Sequence, residues 1–259
     1  MRRLPFEEPV TRAGPLARSV AVLALLVNLF ALVLVRDPRA EAGPALVTLG
    51  AGLVLAAAAV ALAAFAFVRV WREGARGLGA AVAGLFTALL ILAYPAFAGL
   101  RAVRLPALTD VTTDIDNPPA FSRSRAAFAA RDGRYPPEPG PAARASQRAA
   151  YPQIAPLTLD LDADVAFELA RKAALNRRWQ IVEAIRPGGR VGNGRIEAVS
   201  RGLVLNLADD VTVRVHPRAD GARIDVRSAS RLGGHDLGGN ADRIRAYLDE
   251  VANLAIAVK

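Results

Sequence analysis

Cysteine is absent from the 259 residues. That one absence excludes disulfides, thiolate metal sites and cysteine nucleophiles, and it fits either side of a membrane. Histidine is limited to His216 and His235, so a His-rich metal site is not expected, and no sequence feature implies a cofactor. The 33 basic residues are all arginine except Lys172 and Lys259. The most telling absence is local. No charged residue occurs in windows 19–35, 42–68 and 77–100, which are 17, 27 and 24 residues long.

A bilayer core needs roughly 20 apolar residues in helix, so the second and third windows are long enough and the first just reaches it. Lipid offers no partner to backbone polar groups, so such runs are read as helices. Three transmembrane spans are expected at about 17–35, 45–69 and 78–100, within a membrane region 1–104. Asn28 interrupts the first and reads as a helix–helix hydrogen bond or a tolerated polar residue. Gly79, Ala83, Gly84 and Ala88, with Ala57 and Ala61, give small-residue spacing for close helix approach. Intramembrane ionisable residues mark transport paths; without them the spans read as an anchor. A cleaved signal peptide, with Ala40-Glu41-Ala42 as its site, is disfavoured. The apolar core exceeds the roughly 7–15 residues of a signal region.

The formal net charge is +9, but from residue 157 onward 16 basic residues face 14 acidic ones, leaving +2. The surplus therefore lies outside the folded module, and nucleic acid is not an expected partner. Short loops make the spans run up, down and up. Arg2, Arg3, Arg12, Arg18, Arg69, Arg72 and Arg76 then share one face, against Arg36, Arg39, Arg101 and Arg104 on the other. By the positive-inside rule the N-terminus is cytoplasmic and the C-terminal domain is exported.

Residues 105–156 carry nine prolines. Proline removes donors and clashes inside helices, so this stretch reads as an extended linker, with room for a short helix near 123–130. Asp110, Asp114 and Asp116 lack the turn glycine and bidentate Glu of a calcium loop. They read as turn formers bonding nearby backbone.

From 157 to 259 the pattern is that of a soluble α+β domain. Asp162 and Asp164 precede a helical run over 165–178. Strand-like runs follow at 179–185, 195–200, 203–207, 211–216 and 223–229, separated by turn signals including Gly192-Asn193-Gly194 and Asp220-Gly221. Residues 240–257 close the chain as an amphipathic helix. Hairpin-length gaps predict an antiparallel sheet with flanking helices, in two layers. Alternation places Val211, Val213, Val215, Ile224 and Val226 toward the core. Arg214, Asp225, Arg227 and Glu197 then share the other face as an ion-pair ladder.

The densest stretch is Asp225-Val-Arg-Ser-Ala-Ser-Arg-Leu-Gly-Gly-His-Asp-Leu-Gly-Gly-Asn-Ala-Asp-Arg-Ile-Arg245. Together with Asp110 to Pro119, Tyr151-Pro152-Gln153-Ile154, Trp179 and Asp209-Asp210-Val-Thr-Val-Arg214, it resembles a family of domain-of-unknown-function proteins numbered 1499. The resemblance runs from about Asp110 to the C-terminus; Gly234 departs from it, where members commonly carry a polar or small residue. It implies a bacterial envelope protein and supplies no catalytic residues; with the spans and the arginine bias, the expected place is the bacterial inner membrane with the C-terminal domain periplasmic.

Chemically, this stretch is strand, glycine-rich loop, helix. A helix N-terminus favours anions and arginine forks suit phosphate or carboxylate. Arg214, Arg227, Arg231, His235, Asn240 (as helix N-cap) and Arg243 are the candidate ligand-binding residues, for an anionic ligand or lipid headgroup. The alternative is that Asp225, Asp236 and Asp242 neutralise those arginines. No Gly-Lys-Ser/Thr closes the loop, which excludes a nucleotide P-loop. Ser228, Ser230, His235 and Asp236 contain the residue types of a hydrolase, but no Gly-x-Ser-x-Gly elbow occurs. The expected function is a membrane-anchored binding or interaction module, with membrane lipid and an anionic ligand or envelope protein as partners. The second reading is a hydrolase-type envelope enzyme using the loop around His235 as general base.

Overall fold

The computed structural model describes residues 10–37, 42–188 and 192–258. Arg2, Arg3, Arg39, the candidate cleavage site at Ala40-Glu41 and the turn at Gly189 lie outside them. The chain divides into two units, Met1–Leu100 and Arg101–Lys259.

The first unit is built from α1 (Ala13–Arg36), α2 (Ala42–Glu73) and most of α3 (Leu78–Arg104), whose last turn belongs to the second unit. All three helices are long and apolar enough to cross a membrane. Most of their leucines, valines and phenylalanines are exposed, while the fully buried positions of the helix cluster are the alanines Ala21, Ala24, Ala56, Ala59 and Ala88, as expected where lipid is as apolar as leucine. A side chain at Gly84 would strike the α1 backbone at 2.7 Å from the Arg18 nitrogen, and one at Gly14 would strike the Gly77 carbonyl at 2.5 Å. Asn28 donates to the Ala24 carbonyl at 2.8 Å on its own helix and lies against Gly52 of α2. On α2 the buried stripe is Ala56, Ala59, Ala63 and Ala66. Ala57 and Ala61, expected there, are exposed, because hydropathy cannot set the rotation of a uniformly apolar helix. Gly79 likewise meets nothing.

The second unit is a six-stranded antiparallel open sheet with helices. Its strands are β1 (Asp110–Thr112), β2 (Leu157–Leu159), β3 (Gln180–Ile185), β4 (Gly194–Arg201), β5 (Ala208–Arg218) and β6 (Gly221–Ser230). The order is β1-β6-β5-β4-β3, and β2 also pairs with β6, beyond the end of β1. Helices α6 (Ala163–Asn176) and α7 (Gly239–Ile256) pack on the sheet and on each other. The expected alternation holds. Ile196, Val211, Val213, Val215, Ile224 and Val226 are buried in one core with Phe167, Leu169, Ile244 and Tyr247. Each such side chain contributes roughly 1.5–3 kcal/mol of burial. Trp179 stacks on Tyr247 at 4.6 Å, and the Tyr247 hydroxyl donates to the Ala170 carbonyl at 2.9 Å, tying α7 to α6.

Three expectations fail. The run 203–207 is a turn and not a strand: Asn206 adopts φ 51° and its N–H donates to Gly202, closing the β4–β5 loop. Asp162 takes the N-cap position of α6 but its side chain makes no capping bond. The Pro-rich stretch is no tether. It contributes β1 to the sheet edge, the short α4 (Arg125–Ala130), capped by Ser124, and α5 (Pro141–Ala150). Gln147 of α5 bonds both the N–H and the carbonyl of Thr112, at 3.2 and 2.6 Å. Proline here stands at a helix start and in connecting segments, where a missing N–H costs nothing.

Candidate functional site

The face of the sheet opposite the helices is polar, and residues 113–138 roof much of it. Arg227, fully buried, donates to both Asp110 oxygens at 2.8–3.1 Å and to Glu138 at 3.0 Å. It also donates to the carbonyls of Pro119 and Pro137, and lies over the Phe121 ring at 4.9 Å. Burial acts to lower the Arg227 pKa, but its bonds to Asp110 and Glu138 raise it overall. Burial pushes the Asp110 carboxyl up, against the pull of Arg227. A second buried pair joins Arg131 to Glu197, which also accepts from the Ser122 N–H and the Thr212 hydroxyl, each at 2.8 Å. Burial raises the Glu197 pKa, opposed first by Arg131. The ladder expected across β5 and β6 is present: Arg214 and Asp225 are register partners bonded at 2.8 and 3.0 Å.

The other candidates are engaged in the same way. Arg231 forks onto Asp210 at 2.7–3.2 Å and reaches Asp132 at 3.0 Å. Arg243 binds Asp209, the hydroxyls of Ser200 and Ser228, and the Asn240 amide oxygen. Burial raises the Asp209 carboxyl pKa despite Arg243. Asn240 is not the N-cap of α7. That position falls to Gly238 at φ 77°, and the Asp236 carboxylate accepts the N–H groups of Gly238 and Asn240 at 2.8 and 2.9 Å. The Asn240 side chain is a buried hub, bonding Ser228, Ser230, Arg243 and the Thr109 carbonyl. The helix N-terminus proposed as an anion seat therefore already holds an internal carboxylate.

His235 has no free basic nitrogen. Its Nδ1 accepts the Leu237 N–H at 2.9 Å, and Nε2 faces the carbonyls of Leu105 and Ala102 at 3.1 and 3.2 Å. A nitrogen accepting from an amide is the unprotonated one, so Nε2 carries the proton. Ser228 donates to Asn240, and Asp236 serves the helix cap. The residue types of a hydrolase are thus present but engaged in separate bonds. Asp110 and Asp116 pair with Arg227 and Arg148, while Asp114 pairs with Arg214 and Arg223 and also accepts the Asn117 N–H at 2.9 Å. Among the described residues no group of three His or carboxylate side chains could hold a metal.

Of the six candidates, Arg214 lines an open groove. The groove lies between the roof residues Asp114 and Asn117 and the β5–β6 hairpin. One depression of about 170 Å³ is walled by Asp114, Arg214, His216, Arg218 and Arg223. A second of about 210 Å³ adjoins it through the shared Asn193 and Arg214, and adds Pro119, Ala120 and Arg195. His216, Arg218 and Arg223 were absent from the expected site. Alternation does place His216 and Arg223 on the face of Arg214, and they are register partners. Strand alternation is thus the sequence signal that marks His216 and Arg223.

The sheet edge at Asp110, the roof and the loop 225–245 coincide with a family match over residues 110–251, described as "Protein of unknown function (DUF1499)". The chain belongs to this family. The match covers more than half of the chain, and it begins at Asp110, the first residue of β1. The DUF1499 region thus includes the Pro-rich stretch as part of its folded body. No curated protein and no solved structure matches the chain.

Proposed function

We propose that this chain is a membrane-anchored interaction module of the bacterial inner membrane. Its DUF1499 domain is held outside the cytoplasm and works by binding through the groove beside the β5–β6 hairpin. The observation that carries this reading is the contrast between two places. In the loop 227–243 every candidate side chain is engaged internally, whereas at the hairpin Arg214 and Arg223, though paired with Asp114 and Asp225, each keep a terminal nitrogen without a partner among the described residues beside open space. The apolar windows hold no Asp, Glu, Lys, Arg or His, which favours anchoring over conduction. The arginine bias between loops favours a cytoplasmic N-terminus.

Two measurements test this. A reporter active only outside the cytoplasm is expected to be active when fused after Lys259 and silent when fused near Ala75; the reverse pattern overturns the orientation. Photo-crosslinkers at Asn193 and at Leu175, on the remote side of α6, are expected to trap a distinct partner or lipid from native membranes at Asn193 alone. Equal capture at both positions removes the groove as the working surface.

A further inference from the structure

We propose that the groove beside the β5–β6 hairpin is a binding site for a phosphoryl group, with an uncharged portion of the same ligand lying over Pro119 and Ala120. This names the ligand class of the module described above and rests on that reading.

Donor capacity is the first argument. Arg214 uses Nε and one terminal nitrogen on Asp225, Asp114 and the Asn117 carbonyl. Arg223 likewise uses Nε and one terminal nitrogen on Asp225 and Asp114. In both residues the other terminal nitrogen has no partner among the described residues. Arg218, exposed at the rim, has no ion-pair or hydrogen-bond partner among them at all. Each guanidinium carries five N–H donors, so the site offers more donors than its two carboxylates accept. Asp225 is itself buried beneath the pair, at 1% side-chain exposure. It positions the two arginines, so that the depression is lined by three guanidinium groups against the two carboxylates of Asp114 and Asp225.

The second argument is independent. Arg195 lines the adjoining depression; one terminal nitrogen donates to Glu183 at 3.1 Å, and its Nε, which makes no hydrogen bond, lies 4.0 Å from the Glu197 carboxylate. Its other terminal nitrogen has no partner among the described residues and adds a donor on this side. Arginines on β4, β5 and β6 thus border two adjoining depressions that share Arg214. That arrangement suits a tetrahedral oxyanion with three or four acceptor oxygens better than a planar carboxylate. The second depression is the less polar end, floored by Thr212 and edged by Pro119 and Ala120. It gives the remainder of a phosphorylated ligand somewhere to lie.

The full chain in maltoside micelles, which contain no phosphate, is titrated with glycerol 3-phosphate and with inorganic phosphate. Saturable binding at ~1 mM or below is expected, stronger for glycerol 3-phosphate, and weakened about tenfold or more by Arg218→Glu. Arg218 has no structural partner, so this variant keeps its unfolding temperature, and Arg195→Gln is expected to weaken binding in the same direction. No saturation with either probe, or binding unchanged in Arg218→Glu, overturns the proposal. If phosphatidylglycerol mixed into the micelles displaces glycerol 3-phosphate, the phosphoryl group belongs to a lipid headgroup. If it does not, the ligand is a soluble phosphate ester. A partner captured at Asn193 that is indifferent to phosphate would retain the module and remove the phosphoryl site.

Discussion

Arg227 and Arg218 lie on the same hairpin and have opposite duties. Arg227 is 1% exposed and satisfies Asp110 and Glu138. Removing one member of a buried pair leaves the other charge uncompensated, at a cost of about 3–5 kcal/mol. Arg227→Ala is therefore expected to lower stability by that amount in denaturant unfolding of the full chain. Arg218→Ala should stay within ~0.5 kcal/mol of the parent. Glu197 carries a pH signature. Burial raises its folded-state pKa above the ordinary 4.5, so between the two values the folded state holds more protons than the unfolded state. Its contribution to stability is thus fully present below 4.5 and is lost as pH rises through the folded value. Carboxyl NMR should show Glu197 titrating above 4.5. Glu197→Gln, by removing that contribution, should make stability less steeply dependent on pH across the window.

Among elements, the helix contacts of the first unit depend on single glycines. Gly84 of α3 leaves no room for a side chain beside α1, whereas Gly79 on the same helix faces open space. Gly84→Val is expected to lower the thermal unfolding temperature of the detergent-solubilised chain, and Gly79→Val to leave it nearly unchanged. In the second unit Gly221 adopts φ 136°, and a side chain there would come within 2.2 Å of the Leu159 carbonyl. Gly221→Ala is thus expected to weaken the β2–β6 pairing, read as faster amide exchange at Leu157 and Leu159. Equal exchange in variant and parent would show that β2 does not depend on this close approach.

For the molecule as a whole, the roof over the polar sheet face decides what the Pro-rich stretch is. A tether can be shortened without harm, but this segment supplies β1, Asp110 for Arg227, and both Arg131 and the Ser122 N–H for Glu197. Joining residue 104 directly to residue 157 is expected to abolish cooperative unfolding of the second unit. A retained cooperative transition would restore the tether reading.

The spans, the two main helices of the domain and four of the six strands could be read from residue order. Each follows a local period: unbroken apolar runs for lipid, alternation for β4 to β6, and helical spacing for α6 and α7. Alternation even grouped Arg214, Asp225, Arg227 and Glu197 on one face, because pairing of adjacent antiparallel strands preserves face. What residue order left open was which partners those charges meet. Asp110 reaches Arg227 across 117 residues and Arg131 reaches Glu197 across 66, and no local period encodes a contact at that range. The short strands β1 and β2 were missed for the same reason, since three residues carry no period of their own. Only the tertiary structure could therefore show that the glycine-rich loop is internally satisfied. It also moved the open polar space to the hairpin, where the roof residues Asp114 and Asn117 hold Arg214 and Arg223 at the wall of a groove shared with His216.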